Sequence, residues 1–199
     1  MIIIDCDQNS EEWYNARLGI PTASQFHRIL TTAGKRSKMY EEYVFELAGE
    51  IVSGEKSSSY YSKDMQRGHE REQESKDYYS FNTGNLVENV GFCLVDSREY
   101  GCSPDGLIGD EGGFETKDIN AKKHLNRLKY GWDAKEHFQQ VQGCLMVTER
   151  KWWDVVSYCR GFQNVVVRVE PDLKFIQALK VELKMFHNDL QEVIKKYSI

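Results

Sequence analysis

Asp105, Glu115 and Lys117 are the side chains whose types and spacing suit work on a phosphate. They stand in the stretch Ser103–Asn120, which reads SPDGLIGDEGGFETKDIN. Side chains at i and i+2 of a strand share a face, so a strand through Glu115 and Lys117 projects the two side by side. The run Gly109, Asp110, Glu111, Gly112 and Gly113 has the composition of a hairpin loop, which returns the Glu115 strand beside Asp105. The expected product is two carboxylates and one ammonium in one pocket. Hard divalent cations such as Mg²⁺ bind through one or two carboxylates and take much of the remaining shell from water and substrate phosphate. Such an ion makes its water acidic and polarises a phosphoryl oxygen, and a neighbouring ammonium orients the water or stabilises developing charge. From spacing alone, a solvated hairpin face carrying a Glu and a Lys is an equally available outcome.

Other stretches carry chemistry more weakly. Asn9, with Glu12 three residues on, predicts a helix start, and Gly19 suits its end. Thr22 with Gln25 predicts a second helix over Ala23–Leu30, whose N-terminal N–H groups could receive an anion beside Arg17 and Ser24. A surface Arg and an ordinary helix-start Ser explain the same residues. Lys35, Arg36 and Lys38 form a basic loop cluster that could meet phosphates or simply face water. A helix over 39–52 places Met39, Tyr43, Leu47 and Ile51 on one face. Gly54 and Ser57–Ser59 read as a flexible link.

Lys63–Phe81 reads as a charged helix in which Gly68 costs about 1 kcal/mol relative to Ala and marks a close backbone approach. Glu70 and Glu72 on that helix could be plain surface ion pairs. A strand over Leu86–Val95, a turn over Asp96–Glu99, and Tyr100–Ser103 lead into the central hairpin. A helix over Asp133–Val147 puts His137 and Gln140 on one face. A lone helical His is most simply structural. Trp152–Tyr158 and Val165–Val169 have strand composition. Asp172 opens a last helix to about Tyr197 with an apolar stripe from Leu173 to Ile194.

The order of these motifs resembles a known family. Asp105 followed by Glu115-Thr116-Lys117 looks like the PD-(D/E)xK nuclease motif. SPDG, a short hairpin and ExK look more narrowly like the phage lambda exonuclease family, the YqaJ-like viral recombinases. WYNARLGIPTAS, RGHERE and HFQQVQ resemble its other motifs in the same order and extend the likeness over most of the chain.

The resemblance implies a mixed α/β fold with a restriction-endonuclease-like core, a central mixed sheet flanked by helices. It implies metal held by Asp105, Glu115 and the Thr116 carbonyl, with catalysis by Asp105, Glu115, Lys117, Gln140 and Glu72. DNA phosphate, including a 5′-phosphate, would meet Arg17, Ser24 and Ser103. The implied activity is Mg²⁺-dependent 5′-to-3′ digestion of one strand of linear double-stranded DNA, with Mn²⁺ as a substitute ion. The implied setting is a homotrimer acting at double-stranded DNA ends with a single-strand annealing protein, in the cytoplasm of a bacterial host. Two positions depart from the pattern: Thr116 stands where an apolar residue is usual, and Asp118-Ile119 where Cys-Pro or Thr-Pro often follows the Lys. The rival readings are an endonuclease of the same superfamily and a non-catalytic DNA-binding protein that keeps the fold.

Composition sets the outer limits. A chain of 199 residues is the size of a single domain, here 1–199. The net charge of −5 gives no general affinity for nucleic acid, so DNA binding depends on where the cations lie. No stretch is apolar for the roughly 18 residues a membrane helix needs, and MIIIDCD is too short and acidic for a signal peptide. The five Cys have odd parity and no CxxC spacing, which predicts reduced, mostly buried thiols and argues against a zinc or iron–sulfur site.

Overall fold

The computed structural model describes residues 1–56 and 63–199, with side chains omitted for 63–69. The serine link lies outside the described residues, and the surroundings of Gly68 are likewise not described. Two sheets organise the chain. Strands β1 (Ile2–Ile4), β2 (Phe92–Leu94) and β3 (Gly101–Cys102) form a small antiparallel sheet. Strands β4 (Gly106–Ile108), β5 (Gly112–Asp118), β6 (Trp152–Tyr158) and β7 (Val165–Val169) form the larger one in that order. Its β4–β5 and β6–β7 pairs are antiparallel and its central β5–β6 pair is parallel. Helices lie before, between and after these strands, so the expected mixed α/β core with a mixed sheet is borne out.

The expected central hairpin is present as β4–β5, but the sheet does not continue to β6 by another hairpin. Between β5 and β6 the chain crosses over through α4 (Ala121–Tyr130), a 3₁₀ turn (Lys135–His137) and α5 (Phe138–Thr148). A parallel neighbour requires such a crossover. Gly113 is a β5 residue rather than a turn residue. Any Cβ there would strike the Trp153 ring, so the glycine lets the aromatic strand pack directly against β5.

The first helix, α1 (Glu11–Ala16), is capped by Ser10, whose hydroxyl accepts from the Trp13 N–H. Asn9 instead adopts a left-handed φ of 67°. Ala23–Arg28 forms a 3₁₀ helix with no side-chain cap from Thr22, shorter than the predicted helix to Leu30. Helix α2 (Tyr40–Ser53) buries Tyr40, Tyr43, Val44 and Leu47, while Met39 and Ile51 are exposed, so the buried stripe is rotated from the expected one. Arg36 is held by Glu182 and lies over the Tyr40 ring at 4.0 Å, so it pins the loop to the last helix. Helix α3 runs Lys63–Thr83. The strand expected over Leu86–Val95 reduces to β2, with Glu88 bridging Leu107 ahead of it.

Helix α5 carries the core. Val141 through Thr148 are all buried on it, and Gly143 lets the helix approach Phe26 and Ala23. Its Cys144 joins Cys93 and Cys102 inside, and Cys159 is buried as well; none of the five Cys is in a disulfide. Helix α6 (Leu173–Tyr197) starts at Asp172, whose carboxylate accepts from the Phe175 N–H at 2.9 Å. It packs Phe175, Ile176, Leu179, Leu183, Phe186 and Leu190 against the same core. No described helix is long and apolar enough to cross a membrane.

Candidate active site

The site is built on the exit of β5. The β4–β5 register pairs Gly106 with Phe114, which sets Asp105 opposite Glu115. Phe114 is fully buried against Tyr79, so the next residue, Glu115, faces the other way, toward α5. Lys117 follows on that face, and its Nζ lies 2.7 Å from Glu115 Oε1. Gln140 enters from the first turn of α5. Its Nε2 donates to Glu115 Oε1 at 2.7 Å, and its Oε1 accepts from Lys117 Nζ at 3.2 Å. Asp105 closes the group by accepting the Thr116 N–H through Oδ2 at 2.7 Å. Four predicted residues therefore meet: Glu115 and Lys117 through the strand period, Asp105 through the hairpin, and Gln140 through the packing of α5.

Charge is the dominant property of the cluster. Burial, then the nearby Glu115 and Glu72 carboxylates, push the Asp105 carboxyl well above its usual range, against the smaller pull of Lys117 and the Thr116 N–H. For Lys117, burial works to lower the ammonium pKa, but Glu115 and Asp105 outweigh it and the net direction is up. Lys117 is thus a fixed cation and a hydrogen-bond donor, not a base. Glu115 is 3 % exposed and its Oε2 is buried with no hydrogen-bond partner among the described residues. An orphaned buried carboxylate oxygen is costly, and here it adjoins a second carboxylate.

A hard cation suits that donor set. The Thr116 N–H points at Asp105, and in an extended residue the carbonyl leaves on the same edge of the strand. Asp105, Glu115 and that carbonyl are all oxygen donors, as Mg²⁺ or Mn²⁺ prefers. Among the described residues no group of three or more His, Cys, Asp or Glu could hold an ion by itself. The protein would therefore supply part of a shell, with water or phosphate completing it.

On the other side of Asp105, Glu72 borders a cleft of about 330 Å³ lined also by Asp5, Asp7, Lys76, Asn89 and Asp105. Its Oε1 accepts from Lys76 at 2.6 Å, and Lys76 also donates to Asn89. Lys76 escaped the sequence reading, although its i+4 spacing from Glu72 was visible. Gln8 escaped it too. Its amide donates to the Val90 and Pro104 carbonyls at 2.9 and 2.7 Å and fastens the turn before Asp105. No local signal connects residues so far apart in sequence. Thr116 turns its hydroxyl to Ser75 at 2.7 Å, and Asp118 pairs with Arg71 on the face opposite Lys117. Neither departure from the family pattern disturbs the cluster. Glu70 is exposed.

Arg17, Ser24, Ser103 and Gln140 line a second, smaller cleft of about 100 Å³. Arg17 stacks on Trp13 at 3.7 Å, and Trp13 donates through Nε1 to Ser103 at 3.0 Å. Burial lowers the Arg17 pKa to about 10, which leaves it a cation at neutral pH, and its Nε is buried without a partner among the described residues. A guanidinium with an unspent donor and two hydroxyls in one cleft suits a phosphate. Gln140 lines this cleft and accepts from Lys117 Nζ, so the anion cleft opens beside Lys117; Gln8 lines both clefts.

Known proteins share this arrangement of elements. Residues 12–151 match the model of the YqaJ-like viral recombinase domain. Crystal structures of an alkaline exonuclease, LHK-Exo from Laribacter hongkongensis, one of them in complex with dAMP, superpose with a TM-score of 0.82. They are 32 % identical to the chain over 94 % of its length and 95 % of theirs. A phage-related exonuclease from Haemophilus somnus 129PT superposes at 0.70 with 14 % identity, over 90 % of this chain and 96 % of that one, a likeness of fold. No curated protein matches.

Proposed function

Because the chain belongs to the YqaJ-like viral recombinase family, we propose that it is a metal-dependent exonuclease that digests one strand of linear duplex DNA from its 5′ end. The observation that carries this reading is the adjacency of the Asp105–Glu115–Lys117–Gln140 cluster to the Arg17–Ser24–Ser103 cleft, with Gln140 shared between them.

Asp105, Glu115 and the Thr116 carbonyl would hold Mg²⁺, with Mn²⁺ able to replace it. When bound, the ion supplies charge neutralisation at the scissile phosphate and an acidified water. The protein's own groups do the positioning. Lys117, protonated and fixed by Glu115 and Gln140, donates to the water or to a phosphate oxygen as negative charge builds there. The Gln140 amide holds the Glu115 carboxylate in place. Glu72, restrained by Lys76, adds negative charge behind Asp105 and favours cation uptake. Arg17, Ser24 and Ser103 hold a terminal phosphate and so place the first linkage over the cluster. Release of 5′-mononucleotides follows from that register. A trimer around DNA and a single-strand annealing partner belong to the same proposal and rest on the resemblance.

The test is a time course on linear duplex labelled differently at the two ends of one strand, in Mg²⁺ and in EDTA, beside a closed circular plasmid. Early loss of the 5′ label, an intact circle and no cleavage in EDTA are expected. A nicked circle would replace the proposal with an endonuclease. Intact DNA in both Mg²⁺ and Mn²⁺ would leave a binding protein.

A further inference from the structure

We propose that the exposed face of α4 and the adjoining Trp132 loop form a second contact for the DNA backbone, on the side of Lys117 away from Arg17. This deepens the nuclease reading and rests on it. Residues 121–130 contain Lys122, Lys123, Arg127 and Lys129 and no Asp or Glu, within a chain of net charge −5. Lys122, Leu125, Asn126 and Lys129 fall at i, i+3, i+4 and i+7, and all four are exposed. The helix is anchored by its opposite face. His124 is fully buried, with Nδ1 2.9 Å from Ser157 Oγ and Nε2 3.0 Å from the Gln163 carbonyl. Among the described residues neither Lys122 nor Lys129 has a carboxylate partner. Leu125 and Tyr130 stand exposed among these cations, and Tyr130 at 71 % exposure offers a ring face to a sugar or base.

The position relative to the catalytic cluster comes from α5 and the 3₁₀ turn before it. His137 and Gln140 lie about one helical turn apart. Gln140 lines the Arg17 cleft, whereas His137 lies against Trp132 and Glu136. Lys117 and Arg127 both act on the His137 imidazole, which burial and these cations hold neutral. Beyond His137 opens a cleft of about 280 Å³ lined by Lys123, Asn126, Arg127, Trp132, Asp133 and Glu136, in which two cations face two carboxylates, so the net positive charge lies on the exposed face of α4.

Arg127 is the floor of this cleft. It is 4 % exposed, stacks on Trp132 at 3.8 Å, and keeps a buried Nη1 with no hydrogen-bond partner among the described residues. Glu136 accepts from both Arg127 and Lys123. The carboxylate occupies the place of an anion between two cations, where a backbone phosphate would find the same donors. A strand held at Arg17 and passing Lys117 and His137 would thus meet the exposed cations of α4 beyond that cleft. The charge pattern selects a polyanion, and continuity with the candidate active site selects DNA over an acidic protein.

The test measures binding of a 5′-phosphorylated blunt duplex by fluorescence anisotropy in EDTA, at several salt concentrations. It compares the wild type, K122Q/K129Q, and K174Q/K180Q, which removes the same charge from exposed positions of α6. Each phosphate contact contributes about 0.9 to the slope of log affinity against log salt. The α4 variant should therefore lose roughly 1.8 from that slope, and about 10- to 60-fold in affinity near 0.1 M salt. The α6 variant should stay near wild type, and the single-turnover cleavage rate at saturating DNA should be unchanged in both. An unchanged slope in the α4 variant, or an equal loss in the α6 variant, overturns the inference while leaving the nuclease reading intact. Wild-type protein that neither binds nor cuts duplex overturns both.

Discussion

The two facing carboxylates should withdraw stability from the metal-free protein as the pH rises, and Asp105→Asn should remove that contribution. Asp105 has a carboxyl raised well above its ordinary 3.8 by burial and by Glu115 and Glu72. Between 3.8 and the raised value the folded state keeps a proton that the unfolded state has released. Stability therefore falls with rising pH throughout that window, by up to about 1.36 kcal/mol per pH unit, and levels off above it. For a chain of this length each kcal/mol moves Tm by roughly 2–4 °C, so each pH unit inside the window lowers Tm by about 3–5 °C. Lys117 does not distort this range. Its raised pKa contributes stability that is present below 10.5 and lost only above it. His137, lowered to about 4, adds stability as the pH rises toward 6.5, but it does so in both proteins and cancels from their difference.

Asp105→Asn retains an oxygen to accept the Thr116 N–H and carries no proton to lose. In EDTA the wild type and the variant should match near pH 4, and the variant should gain a lead of about 3–5 °C for each pH unit inside that window. Mg²⁺ at a hundredfold excess over its Kd should then raise wild-type stability by about 2.7 kcal/mol, and should raise the variant far less. Thermal unfolding followed by circular dichroism from pH 4 to 8, with EDTA and with Mg²⁺, reads both effects. A difference that does not vary with pH, or equal stabilisation of both proteins by Mg²⁺, would refute the account of the site as a carboxylate pair awaiting a cation.

Lys117→Ala should slow cleavage by roughly 10²–10³-fold while duplex binding in EDTA stays within about twofold; cleavage at the wild-type rate would remove Lys117 from the chemistry. Arg17→Ala should cut the preference for 5′-phosphorylated over 5′-hydroxyl ends by roughly 10–100-fold, the value of a charge-assisted hydrogen bond. Arg17→Lys, which keeps charge and much of the packing on Trp13, should retain part of that preference in the same competition assay. Gly143→Ala should place a methyl 2.5 Å from the Phe26 ring. It should cost about 1–3 kcal/mol and lower Tm in a thermal melt; an unchanged Tm would mean that the α5 contact yields freely.

How much of this was legible beforehand depended on the range of each interaction. The strand period placed Glu115 and Lys117 together and sent Asp118 to the far side, where it pairs with Arg71. The boundaries of β6 and β7 followed from β-branched and aromatic runs, and the start of α6 from the Asp172 cap. Each depends only on residues a few positions apart. Helix α4 was missed because its buried face consists of His124 and Arg127, polar side chains that leave no apolar periodicity. The Arg17 cleft became visible through resemblance rather than through spacing.

The amino-acid sequence by itself determined the local order of the catalytic strand: which residues share its face and where it turns back, along with the Asp172 cap that starts the last helix. Backbone geometry imposes those outcomes wherever the chain sits. Tertiary structure alone decided that β5 pairs in parallel with β6, that Gln140 reaches Glu115 and Lys117, and that Gln8 fastens the turn before Asp105. It also decided that the Glu115 oxygen is buried without a partner. Those features depend on which faces pack together across long sequence separations. That choice is made by the core around α5 as a whole and by no single motif within it.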